Sequence, residues 1–462
     1  MDSDFDSRVG KGNGEFDWGL YPKVESLLLG KVDDFLAHST FAKLLSERMM
    51  NQASTKFSDM IDYMVVPEQS VDLDGLSGLG FSEIKSDISE GGVRVLKHPS
   101  SYFFPLIVSP SKKYEIGLHL EFIDHFLQVL GLGVEVEGEP YAPLRKAIVD
   151  VEGDYSVVAL ERRGYNGFVV KESGDREEYL EALSSFFSRK RHFESDEEGM
   201  KYVENLVAKS MGRLSDARVS DAFFIAERLY WERRNRAGQV QRARQDTVGI
   251  GWGNQDHHTY RSSREHFANM IRIFEKMGYR CREKYYAGEE AGWGAQILEH
   301  PVCNTVVFTD VDLLPEETDV DFPHKGLSHV SKLKTVGLWI GLHGESILQA
   351  GMHHLEAKFD FNKLREELPN YGIKVMQPFS YFPFLKQAFT VGERWHVEKD
   401  RLDRLLADSS ITKGQYETFL KDGAIGSHME NLERTEGFKG FNKASVTKII
   451  MATDPRAQQA GA

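Results

Sequence analysis

Two distant stretches of this chain run through the same succession of residues. In the first, Gly78-Leu79-Gly80-Phe81-Ser82-Glu83 leads to Gly92-Val93-Arg94-Val95-Leu96-Lys97-His98-Pro99 and an apolar run from Tyr102 to Val108. In the second, Lys276-Met277-Gly278-Tyr279-Arg280-Cys281 leads to Gly294-Ala295-Gln296-Ile297-Leu298-Glu299-His300-Pro301 and an apolar run from Thr305 to Asp310. A Gly-aromatic pair followed at similar spacing by His-Pro predicts a duplicated supersecondary unit. Each unit reads as strand, helix, then two or three strands. Paired units of this type curl into a half-open mixed sheet around a cavity, so the expected class is α+β with added helices.

The remaining pattern supplies the frame. Pro22 to Ala53 predicts two helices, and Met60 to Val66 a strand. His119 to Leu130 predicts a helix stopped by Gly131. Strands are expected near Ala147 to Asp150, Ser156 to Glu161 and Gly167 to Lys171. Residues 177–236 are charged, helical in pattern and almost free of Gly and Pro, which predicts a helical connector with solvated charge runs such as Glu232 to Arg236. Leu338 to Leu348 reads as an apolar connector. Beyond it, Gly351 to Phe359, Gly372 to Met376, Gln387 to Val391, Ser427 to Glu433 and Ser445 to Ala452 are expected strands. The expected organisation is a flexible arm over 1–20, a first α/β half over 21–172, a connector over 173–240, a second half over 241–455 and a tail over 456–462.

Composition narrows the function classes. The chain of 462 residues carries a net charge of −14, which argues against nucleic acid as a partner. No apolar run approaches the roughly 20 residues of a membrane span, and the acidic, Gly-rich N-terminus has no signal-type core. Cys281 and Cys303 are the two cysteines. Any bound metal must therefore be held by His and carboxylate, and the expected compartment is cytoplasmic.

Asp256-His257-His258-Thr259-Tyr260-Arg261 opens the second half and reads as a short strand. Alternation puts His257, Thr259 and Arg261 on one face, with His258 and Tyr260 on the other. An imidazole lone pair and a guanidinium aimed into one cavity suit a metal site for an anionic substrate. The plain alternative is a histidine pair on a half-exposed strand. A second tandem, Met352-His353-His354-Leu355-Glu356, opens the next unit, so a metal between units would take one His from each first strand. The third ligand should be a carboxylate on a late strand, where Gly426 to Arg434 offers both Glu430 and Glu433; spacing does not choose between them. Two His and one carboxylate form the facial set of non-haem Fe(II) oxygenases.

These motifs resemble the 2-oxoadipate dioxygenase/decarboxylase family of the vicinal-oxygen-chelate superfamily. Asp256 to Arg261 is similar to the family's Asp-His-x-x-aromatic-Arg strand. Gly278-Tyr279, His300-Pro301, His353-His354-Leu355, Glu430 to Arg434 and Gly437-Phe438-Lys439-Gly440-Phe441 follow in the family's order, over residues 245–455. The resemblance implies a metal held by His257, His354 and Glu430, a substrate carboxylate on Arg261, and a pocket glutamine at Gln387. It implies Fe(II), with Mn(II) or Zn(II) as other occupants, and oxidative decarboxylation and hydroxylation of a small 2-oxo acid by dioxygen. Three departures stand out. Gly288 to Gly294 replaces the family's basic pair, Glu356 replaces a Thr, and Tyr63 stands in the first half where a metal His would stand. The first half is therefore expected to be a copy without a metal, serving as scaffold or pocket wall, with His119 and His125 either vestigial ligands or, as helix-face histidines more often are, structural. An oxygenase or decarboxylase of another amino-acid-derived acid is an alternative, and so is a metal-free binding or scaffold protein.

Overall fold

The computed structural model describes residues 18–330, 332–442 and 454–456. Sixteen strands among them fall into two sheets. The first sheet contains β1 (Ile61–Pro67), β2 (Ser82–Ile84), β3 (Arg94–Lys97), β4 (Leu106–Ser109), β5 (Tyr114–Leu120), β6 (Leu144–Glu152) and β7 (Tyr155–Arg162). The second contains β8 (Gln255–Arg261), β9 (Arg280–Tyr286), β10 (Trp293–Glu299), β11 (Val306–Asp312), β12 (His354–Lys358), β13 (Ser380–Phe382), β14 (Leu385–Phe389), β15 (Glu393–Trp395) and β16 (Ala424–Arg434).

The strand orders expose the duplication. The first sheet runs β2-β3-β4-β1-β5-β7-β6, and the second runs β9-β10-β11-β8-β12-β16-β14 before β13 is added at its edge. Each step has the same sense in both sheets. The β1–β4 and β8–β11 pairs are parallel, as are β5–β7 and β12–β16. The central β1–β5 and β8–β12 pairs are antiparallel. Both copies also close their corner alike. Gly80 and Gly278 have φ of +95° and +87°, and a Cβ built on them would lie 2.9 and 2.8 Å from Nε2 of His98 and His300. Each imidazole packs edge-on against the aromatic residue after its glycine, Phe81 or Tyr279. The repeated Gly-aromatic and His-Pro pairs are thus one packing motif: glycine admits both the backbone twist and the ring.

The helices Pro22–His38 and Thr40–Ala53 cover the first sheet in a shared core with Leu28, Phe35, Met49, Ile116 and Phe126. Four helices follow the first sheet: Arg176–Ser188, Asp196–Met211, Asp216–Glu232 and Arg236–Asp246. They are no solvated connector. Phe186, Val207, Phe223, Phe224 and Trp231 join Tyr260 and Phe274 in a second core behind the second sheet. At its centre Glu227, fully buried, receives Arg189 at 3.0 Å, Arg191 at 2.6 Å and the Tyr260 hydroxyl at 3.1 Å. In the run 232–236, Arg234 packs over Trp395 and donates to the Gln349 carbonyl, so it is not a solvated charge.

Other expectations need correction. The helix begins at Ile123, so His119 lies on β5, where its pairing with β7 continues the ladder. Residues 167–171 form no strand, because the amides of Phe168 and Val169 donate to the Asp87 carboxylate instead of a ladder. Residues 372–376 keep a single bridge, Val375 to Thr390. The apolar stretch after residue 334 is a buried helix, Thr335–His343. The expected strand at 445–452, the arm up to residue 17 and the tail from 457 lie outside the described residues.

Candidate metal centre

One cavity gathers side chains from β8, β9, β10, β11, β12, β14 and β16, which requires the second sheet to curl around it. Its lining includes His257, Thr259, Arg261, His354, Glu356, Gln387 and Glu430, and it measures about 580 Å³ with its open mouth. The five residues singled out in the sequence, His257, Arg261, His354, Gln387 and Glu430, therefore share a wall. Alternation on β8 works as the pattern predicts: His257, Thr259 and Arg261 face the cavity, while His258 packs 4.6 Å from the Phe224 ring in the core behind. Of the two late carboxylates, Glu430 faces the cavity. Glu433 turns away to Lys386 at 3.0 Å, Lys56 at 3.3 Å and the Phe361 amide. Arg434 is not a surface partner for it; its side chain is buried against Asp256.

Register explains the convergence. On β12, His354 lies opposite Thr259 and Glu356 opposite His257, while on the other side His354 pairs with His428 and Glu356 with Glu430. His257, Glu356 and Glu430 each bring one ligand atom within 4.8 Å of the others. Glu356 Oε1 lies 3.2 Å from His257 Nε2 and 2.8 Å from His354 Nε2. Both imidazole Nε2 atoms therefore lie beside one carboxylate oxygen, and Glu356 is a member of the cluster that the motifs did not single out. Its signal is present in the sequence: two residues past His354 on a strand is the same face.

The partners of these groups fix their orientation. His257 Nδ1 donates to Asp256 Oδ2 at 2.8 Å, and Arg434 holds that carboxylate at 3.2 Å, leaving Nε2 to the cavity. His353 and His354 meet Nδ1 to Nδ1 at 2.6 Å; with His354 as the donor of that bond, its Nε2 keeps a lone pair for the cavity. Gln387 Nε2 donates to Glu430 Oε1 at 2.8 Å. Burial keeps the imidazoles neutral: His353 and His354 are lowered well below the usual range, and His428 to about 4. Burial raises Glu430 to about 8, and burial with the nearby Glu430 charge raises Glu356 well above the carboxylate range. Two buried carboxyls and the His257 imidazole converge here, and His354 joins them through its 2.8 Å approach to Glu356 rather than as a member of that mutual group. A divalent cation fits this donor set, since it supplies the positive charge the carboxyls lack and takes the imidazole lone pairs.

Arg261 differs from the simple expectation. Its Nε sits 3.4 Å from Asp310 Oδ2, and its guanidinium lies over the Trp339 ring. Burial pushes Asp310 up to about 7. Much of the remaining lining is aromatic, with Tyr285, Trp293, Phe308, Phe379, Phe389 and Phe441; Phe441 lies 4.9 Å from the His257 ring and Phe389 4.9 Å from the His354 ring.

No protein-family model matches the chain, and no curated protein matches it. Among solved structures, a variant of 4-hydroxymandelate synthase from Streptomyces coelicolor aligns over 87% of this chain and 100% of its own, at 12% identity and a TM-score of 0.28. Methylmalonyl-CoA epimerase from Mycobacterium tuberculosis aligns over 40% of this chain and 89% of its own, at 11% identity and a TM-score of 0.23. A methylmalonyl-CoA epimerase variant from Streptomyces coelicolor covers 39% and 97%, at 12% identity and a TM-score of 0.21. At these scores the likenesses carry no argument for fold or activity, and the chain's own strand order and cavity have to carry both.

The first sheet offers an internal comparison. By register, Tyr63 pairs with Gly117 and Val65 with Glu115, as His257 pairs with Glu356 and Thr259 with His354. Glu115 and Gly117 in turn pair with Ser156 and Val158, as His354 and Glu356 pair with His428 and Glu430. The positions of His257, His354 and Glu430 thus carry Tyr63, Glu115 and Val158, and the Tyr63 hydroxyl donates to Glu115 at 2.7 Å. His119 and His125 do not correspond to any of them.

Proposed function

We propose that this protein is a non-haem Fe(II)-dependent dioxygenase/decarboxylase of a small 2-oxo acid. His257, His354 and Glu430 hold the metal, Arg261 binds the substrate carboxylate, and Gln387 sets the rotamer of Glu430. The observation that carries the reading is the convergence of two neutral imidazoles on a buried carboxyl cluster in the same cavity as one guanidinium. Bound there, Fe(II) would supply redox chemistry toward dioxygen and a Lewis-acidic anchor for a chelating 2-oxo acid.

The chain's own groups do the remaining work. An incoming carboxylate competes with Asp310 for the Arg261 fork. Asp310, raised to about 7, takes up a proton as it yields, and its Oδ1 has no other partner. The six aromatic rings of the lining would limit water around the reacting end. Among the described lining residues Arg261 is the one guanidinium or ammonium group, which favours a substrate with one carboxylate and an apolar body over a dicarboxylate such as 2-oxoadipate.

Metal analysis of anaerobically purified protein, followed by oxygen uptake with a panel of 2-oxo acids, tests the proposal. His257→Ala, His354→Ala and Glu430→Ala should each lose iron, and Arg261→Ala should keep iron while losing turnover. Full iron content and activity in His257→Ala would overturn it.

A further inference from the structure

Glu356 stands where the resemblance would place a threonine, and it is fully buried with Oε1 beside Nε2 of both imidazoles. Oε1 also accepts a hydrogen bond from Thr259 Oγ1 at 2.9 Å, and the carboxyl otherwise faces Glu430, with no cationic partner among the described residues. A buried carboxylate kept for structural reasons would be met by a cation, as Asp256 is met by Arg434 and Glu227 by two arginines. Glu356 is met instead by neutral imidazoles and by a second carboxyl, Glu430, its register neighbour on β16. Nor is it placed by accident of a flexible loop, since β8 and β16 pin β12 from both sides.

We infer that Glu356 is a fourth protein ligand of the divalent cation, so that the resting centre is a two-imidazole, two-carboxylate set. The inference rests on the metal site proposed above and changes its chemistry. An octahedral cation with three protein ligands keeps three exchangeable positions, and a fourth ligand leaves two. A 2-oxo acid chelating through two oxygens would fill both, so a further small ligand would need Glu356 to withdraw, which would make this side chain a stopper on the site. Two carboxylates would also balance the charge of a dication in a buried setting.

The test uses the full chain loaded with Mn(II), read by titration of free Mn(II) through its paramagnetic resonance signal and by water-proton relaxation, which counts water on the bound ion. Glu356→Thr should bind Mn(II) at least about tenfold more weakly, the minimum seen for losing even an outer-shell partner, and should gain one exchangeable water. Glu356→Gln keeps the shape of the side chain and should also weaken Mn(II) binding. Its metal-free form should melt no lower than the parent, because the amide keeps the shape, still accepts from Thr259 and loses no cationic partner. A structural role for Glu356 would lower that melting temperature instead. If both variants kept the parent's affinity and water count while His257→Ala lost the ion, the inference would fall and the three-ligand site would stand. If His257→Ala bound Mn(II) as the parent does, the metal site itself would fall and this inference with it.

Discussion

Replacing Asp256 with asparagine separates two roles of one carboxylate. Asp256 holds the His257 ring through Nδ1 at 2.8 Å and neutralises Arg434 at 3.2 Å, with side-chain exposures of 2% and 4% for the ion pair. The amide in Asp256→Asn retains an oxygen that can accept from His257, but it leaves a buried guanidinium without its counter-charge. Breaking a buried pair from one side costs about 3–5 kcal/mol. The second effect is on the metal. Loss of the charged outer partner of a ligating histidine weakens affinity by about 10- to 100-fold, or about 1.4–2.7 kcal/mol. The two effects are resolved by adding Arg434→Met. The double variant removes both charges, so thermal stability should recover most of the single variant's loss, since neutral replacement of a buried pair is close to neutral. Metal affinity should not recover, because His257 still lacks its carboxylate. Thermal denaturation of the metal-free proteins and Mn(II) titration measure the two quantities separately. Unchanged affinity in Asp256→Asn, or recovery of affinity in the double variant, would refute the coupling.

Two further outcomes follow from the scaffold. Gly278→Ala should destabilise the protein by more than about 1 kcal/mol, because a Cβ there needs positive φ and would press on Asp216 Oδ2 at 2.6 Å and His300 Nε2 at 2.8 Å; a melting temperature equal to the parent's would contradict the corner packing. Glu299 is raised by burial but held down to about 2 overall by Lys439 and Arg282, below its unfolded range near 4.3. A depressed carboxylate contributes stability that is complete above the unfolded pKa and is lost as pH falls through the folded one. Glu299→Gln should therefore lower stability at pH 6 and flatten its dependence between about pH 4.5 and 2, as followed by denaturant titration at each pH.

Much of the site is legible because strands have period two. One hexapeptide is enough to place His257 and Arg261 together and to send His258 to the core. The repeat is legible for a related reason: Gly-aromatic and His-Pro are the two halves of one packed corner, so they recur together. What escapes is set by partners from elsewhere in the chain. The charge-rich helices read as solvated because nothing local shows that Glu227 meets Arg189 and Arg191 from another helix end. Residues 167–171 read as a strand because Asp87, far back in sequence, takes their amides. Arg261 reads as a free clamp because Asp310 arrives from the neighbouring strand. Glu356 is legible by position but reads as a departure from a pattern rather than as a ligand.

The two sheets complete the same strand junction by different means. Where the first sheet joins β1 to β5, Tyr63 and Glu115 close the gap with groups the polypeptide brings itself. Where the second joins β8 to β12, buried carboxyls and imidazoles face one another, the place proposed here for a cation. On the proposed metal site, the junction in the first sheet closes without an ion, whereas the matching junction in the second would depend on one. Metal supply would then govern one half of a duplicated architecture at the very place where the other half is already closed.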